Sequence, residues 1–134
     1  MITHDFKGVK LSGLGLGAMR LPTLEGKENQ PDQDKVNEMV AYAIKHGINY
    51  FDTAWGYHGG QSEIVLGNAL KKFDRSQYFL ADKFPGYDLD NMPHVEEIFT
   101  KQLQNVKQNT LIFIYFIMSV RKISMRISIR NIKF

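Results

Sequence analysis

The sequence predicts an α/β protein built on a parallel sheet with helical crossovers. Short apolar, strand-like stretches alternate three times with segments of helical periodicity, and each strand–helix unit takes about 20 to 30 residues. The whole chain has 134 residues, enough for one domain with a core and too few for two. In sheets of this kind the functional side chains stand just beyond the carboxyl ends of the strands.

The elements follow in order. "LSGLGLGAMRLP" mixes apolar residues with glycines and stops at Pro22, which reads as a strand running into a loop. Thr23 to Pro31 is polar and rich in turn formers. "DQDKVNEMVAYAIKHG" sets Val36, Met39, Val40, Ala43 and Ile44 at helical spacing, with Asp32 or Asp34 as N-cap and Gly47 as the stop. "INYFDTA" is a short buried strand, and "WGYHGG" is the loop after it. "SEIVLGNALKKF" predicts a second helix opened by Ser62, with Lys71 and Lys72 in its last turn. "YFLADKF" is a third strand, ended by Pro85 and Gly86, and "MPHVEEIFTKQLQNV" a third helix with Pro93 near its start.

Composition narrows the function classes. The net charge is +3, from 17 basic and 14 acidic residues. Residues 109–134 hold five of the basic residues (Arg121, Lys122, Arg126, Arg130 and Lys133) and none of the acidic ones. Residues 1–108 therefore carry twelve basic and fourteen acidic side chains, a balance of −2, and nucleic-acid binding loses its electrostatic support. There is no cysteine, so neither a disulfide nor a thiolate metal site can form within the chain. "MITHDFKGVK" has no apolar signal core, which gives a cytoplasmic expectation. The longest apolar run, Leu111 to Met118, is far short of the roughly 20 residues of a spanning helix, so no membrane span is expected.

Three polar residues fall where this architecture would put a site. Asp52 ends the second strand, Tyr57 lies five residues on in the loop, and Lys83 is near the end of the third strand. A tyrosine holds a donatable proton at neutral pH. A neighbouring ammonium stabilises the phenolate left behind, and a carboxylate gives that ammonium a counter-charge. The trio suits protonation of a carbonyl oxygen while a hydride arrives at carbon. Taken singly, Asp52 could cap a loop and Lys83 could be a solvated strand end. His58 reads as a loop or pocket-wall residue, with no second ligand spaced to make a metal site. Trp55 reads equally as core or as substrate wall. "GLGLG" (Gly13, Gly15, Gly17) precedes Pro22 and a polar loop, not the helix that a pyrophosphate turn requires.

"LGLGAMRLP", "GINYFDTAWGYHGGQSEIVLGNAL" and "FLADKF" resemble the opening three strand–helix units of the aldo-keto reductases, over about residues 6–108. The resemblance implies the N-terminal part of a parallel (β/α)8 TIM barrel, incomplete at three to four strand–helix units. It also implies NADPH-dependent reduction of an aldehyde or ketone, with a small carbonyl compound as substrate. Of the family's Asp, Tyr, Lys and His tetrad, Asp52, Tyr57 and Lys83 match the first three. Gly17, Ala18, Met19 and Arg20 match the segment that approaches the nicotinamide, together with Asp52, and Trp55 and His58 fall at the substrate pocket. A further fold-level likeness, to potassium-channel β-subunits, keeps a cofactor-sensing regulatory subunit as an alternative.

The family's histidine ends the fourth strand, in a context like "DYFDFYLxH". Here the corresponding stretch reads "NTLIFIYFIMSV" and has no histidine. Permitted codons for Leu111 onward, regrouped one base earlier, can spell "FDFYLFHNVCE". Residues 109–134 are accordingly expected to be a basic, Ile-rich tail translated out of frame from a shift near Gln108. The competing reading is a genuine basic amphipathic segment for anionic lipid. A chain ending this way is expected to be a truncated, inactive fragment whose open sheet edges favour self-association.

Overall fold

The computed structural model of the chain describes residues 1–109, 111 and 113–116. The chain begins with an antiparallel hairpin of β1 (Thr3–Phe6) and β2 (Val9–Ser12), paired from Thr3↔Ser12 to Phe6↔Val9. The sequence reading missed this hairpin and assigned Leu11 and Ser12 to the first sheet strand. The signal was a two-residue turn, in which Lys7 and Gly8 both take positive φ, 49° and 85°. That pair of angles suits a tight hairpin connection and is easily reached by glycine at its second position.

The main sheet has four parallel strands in the order β3 (Leu16–Gly17), β4 (Tyr50–Asp52), β5 (Phe79–Phe84) and β6 (Phe113–Phe116). Register sets Gly17 beside Asp52, Asp52 beside Ala81, and Lys83 beside Tyr115. Strand β6 lies within the stretch whose β-branched and aromatic residues suit pairing.

Helices α1 (Gln33–Lys45), α2 (Gln61–Leu70) and α3 (Val95–Val106) make the crossovers. Asp32 is the cap of α1, accepting from the backbone N–H of Asp34 and Lys35. The expected apolar stripe of α1 is turned inward: Val36, Val40 and Ala43 are buried, with Met39 and Ile44 packed at the margin. These meet Leu66, Ala69 and Leu70 of α2, and Phe51 and Leu80 of the sheet, in one core that also includes Val106 of α3. Pro93 belongs to a 3-10 turn, Leu89–His94, that leads into α3. Ser62, expected to open α2, does not cap it; Ser62 lies inside the helix, and Gly60 precedes the first turn. Its buried hydroxyl donates to the Ala18 carbonyl at 3.0 Å and bonds the Thr53 hydroxyl at 3.0 Å, joining α2 to the ends of β3 and β4.

Gly67 fixes how closely α2 and α3 approach. A Cβ at this position would stand 2.5 Å from the Val106 carbonyl oxygen and 2.7 Å from its Cα, so only glycine permits the contact. The resulting layer of α2 and α3 holds β5 from behind and leaves the opposite face of the sheet for the polar residues at the strand ends.

Candidate active site

Successive side chains on a strand point to opposite faces, and this alternation builds the site. On β4, Phe51 enters the core behind the sheet and Asp52 points the other way. On β5, Leu80 and Asp82 face α2 and α3, while Lys83 faces Asp52. The Lys83 ammonium donates to Asp52 Oδ1 and, at 3.0 Å, to the Thr53 carbonyl. It also stands 4.9 Å from the centroid of the Tyr57 ring. The three residues predicted from spacing are thus brought together at the carboxyl end of the strands. The Lys83 and Asp52 side chains keep 17% and 26% of their exposure, so the pair is sheltered but reachable.

Tyr57 is delivered by the turn after β4. Tyr57–Gly60 forms a short 3-10 segment in which His58, Gly59 and Gly60 adopt left-handed conformations, φ 53°, 62° and 88°. The turn is clamped through the His58 ring. Nε2 accepts from the Leu21 backbone N–H at 3.0 Å, and Nδ1 lies 3.0 Å from the Glu28 carbonyl. Because the Leu21 N–H can only donate, Nε2 carries the lone pair and Nδ1–H donates to Glu28. Both nitrogens of His58 are therefore spent on holding the polar loop, which was one of the two roles its position allowed.

Trp55 is half-buried and lines a small cleft of about 170 Å³ together with Tyr57, Lys83, Pro85 and Tyr87. At the end of β3, a Cβ on Gly17 would meet nothing within 4 Å, so open space adjoins Asp52 at this point of the rim. Met19 and Arg20 are exposed beside it. Ala18 is different: its side chain is fully buried and its carbonyl is taken by Ser62, so it belongs to the support of the rim.

Sequence reasoning missed a second polar cluster, directly behind Lys83. Glu63 from α2, Asp82 from β5 and Gln102 from α3 are all fully buried. Asn105 Nδ2 donates to Glu63 Oε2 at 2.7 Å and Gln102 Nε2 to Glu63 Oε1 at 3.2 Å. Burial, and then the neighbouring Glu63 charge, push the Asp82 carboxyl up to about 9. Burial also raises Glu63. The signal in the sequence was an Asp inside the otherwise apolar "YFLADKF", flanking a candidate catalytic lysine.

A model of the aldo/keto reductase family matches residues 13–118. The chain belongs to the aldo/keto reductase family. Over 80 residues it is 38% identical to a Glycine max protein named "Probable aldo-keto reductase 1", an alignment covering 58% of this chain and 22% of that protein. Over 75 residues it is 35% identical to the NADH-specific methylglyoxal reductase of Escherichia coli, covering 56% of this chain and 23% of the relative. An aldo-keto reductase from Bacillus halodurans, solved in holo form, superposes with a TM-score of 0.70 at 24% identity, over 87% of this chain and 40% of that one. The alignments thus take in about a quarter of the length of the curated relatives. The fold is accordingly the N-terminal part of an aldo/keto reductase barrel, incomplete in this chain. Among the described residues no helix is long and apolar enough to cross a membrane.

Proposed function

We propose that Asp52, Tyr57 and Lys83 are the proton-transfer part of a carbonyl reductase site, serving NADPH-dependent reduction of an aldehyde or ketone. The observation that carries this reading is the Lys83 ammonium, which touches Asp52 on one side and stands at the Tyr57 ring on the other. In this reading Tyr57 donates its proton to the carbonyl oxygen as carbon is reduced. Lys83 stabilises the phenolate that remains, and Asp52 keeps the ammonium charged in a sheltered position. Trp55 and Tyr87 provide an apolar wall for a small carbonyl compound.

The open space at Gly17, next to Asp52, suits the nicotinamide end of the cofactor. Gly17, Met19, Arg20 and Asp52 would hold it there, and the bound reduced nicotinamide would supply the hydride. Of the two nicotinamide cofactors, the family resemblance supports NADPH, whereas the Escherichia coli relative is named NADH-specific.

A second reading applies to the chain as written. Its four histidines are His4, His46, His58 and His94; the last of them precedes α3, so none stands in the fourth-strand position of the family's fourth catalytic residue. We infer that residues 109–134 arise from a frame shift near Gln108 and that this polypeptide is a weak or inactive fragment. Sequencing the gene across Val106 to Met118 checks this: "FDFYLFH" and a long reading frame should appear one base over. The activity reading is checked by carbonyl-dependent oxidation of NADPH with the frame-restored protein and the 134-residue chain side by side. Comparable turnover by the two would overturn the fragment reading, and no turnover by either would overturn the reductase reading.

A further inference from the structure

The cluster behind Lys83 has a hydrogen-bond pattern that two ionised carboxylates cannot satisfy. Both oxygens of Glu63 accept from α3 amides, which marks it as the carboxylate of the pair. Asp82 Oδ1 accepts from the Lys83 backbone N–H at 2.7 Å. Asp82 Oδ2 is buried and has no donor among the described residues, and Gln102 Oε1 is likewise unpaired. A proton on Asp82 removes the conflict, because an O–H at Oδ2 can donate to the adjacent carboxylate. The same cluster holds Lys83 at both ends of its residue. Its N–H is held by Asp82, and its carbonyl accepts from Gln102 Nε2 at 3.2 Å.

We propose that Glu63 and Asp82 share one proton and that this pair acts as a positioning device for Lys83, fixing its backbone from behind the sheet. The charged and titratable groups facing the pair are few among the described residues. Helix α2 contributes Glu63, β5 contributes Asp82, and α3 contributes the neutral amides of Gln102 and Asn105; the Lys83 ammonium acts on Asp82 only from across the sheet, where it is engaged by Asp52.

The sign of the pH effect follows from burial. The folded chain keeps a proton that the unfolded chain loses above the ordinary carboxylate range. The pair's contribution to stability is therefore full below about pH 4 and is lost as pH rises toward about 9. At pH 7 unfolding should release about one proton from this pair. Asp82→Asn keeps the shape and the donor but removes the titration.

The proposal rests on the reading of Lys83 as a functional residue, and its test uses the full chain without turnover. Thermal melts of wild type and D82N from pH 5 to 9 should diverge, the wild type losing stability with pH relative to the variant. Equal slopes would overturn the shared proton. Should D82N fail to fold, infrared spectroscopy of the wild type decides: a protonated carboxylic acid at pH 7 that disappears toward pH 10 supports the pair, and its absence refutes it. For positioning, the rate of Lys83 acylation by an amine-directed reagent is followed against pH by mass spectrometry. The wild type should show a second inflection where the pair ionises, and D82N a single ionisation. Identical profiles would overturn the positioning role. If these tests are passed and the frame-restored protein still turns over no carbonyl substrate, the reductase reading alone is refuted.

Discussion

The Lys83 ammonium touches the Asp52 carboxylate, the Thr53 carbonyl and the face of Tyr57, and each contact has a separable consequence. Lys83→Met leaves Asp52 without its counter-charge in a sheltered place, which should cost about 2 kcal/mol of stability by denaturant unfolding. The double variant Asp52→Asn/Lys83→Met should recover part of that loss, since no lone charge then remains. His58 makes a different kind of prediction. With both ring nitrogens used by the polar loop, His58→Ala should strip hydrogen-exchange protection from the Leu21 amide and leave the Lys83–Asp52 pair intact. Unchanged protection at Leu21 would show that the clamp is not what holds the loop.

Among the elements, α2 and α3 show where local propensity and packing disagree. Alanine is a better helix former than glycine by about 1 kcal/mol, so propensity alone makes Gly67→Ala stabilising. The 2.5 Å approach of the would-be Cβ to the Val106 carbonyl reverses the sign. Forcing the helices apart should destabilise the fold by about 1–3 kcal/mol in a denaturant melt. Helix α1 was legible because its apolar residues repeat at helical spacing, α2 and α3 because residues suited to helix ends bracket them, and β4 and β5 because they are short apolar runs between turn formers. The candidate trio could be placed for a related reason, since Asp52, Tyr57 and Lys83 stand at strand ends or in the loop beyond one. The N-terminal hairpin was not, because β1 is exposed throughout and leaves no apolar face to read. Ser62 was misread as a cap because serine favours that place; the buried bonds to Ala18 and Thr53 outweigh the local preference. Glu63, Asp82, Gln102 and Asn105 were missed because they come from three elements, and only tertiary packing brings them together.

For the molecule as a whole, the family gives the fold and the short span of the match gives its main liability. Among the described residues β3 is paired only with β4 and β6 only with β5, so the sheet has two edges that a closed barrel would join. Sedimentation velocity across a range of concentrations should therefore show self-association of the 134-residue chain, and a monomer at every concentration would count against open edges. Tyr57, set against Lys83, is proposed above as the proton donor of a carbonyl reductase. Its most direct test is the turnover of a carbonyl substrate with NADPH by the frame-restored protein, before and after Tyr57→Phe. The substitution should cost about 10²- to 10⁴-fold in kcat with folding unchanged. A Tyr57→Phe protein that kept the turnover of its parent would contradict that role.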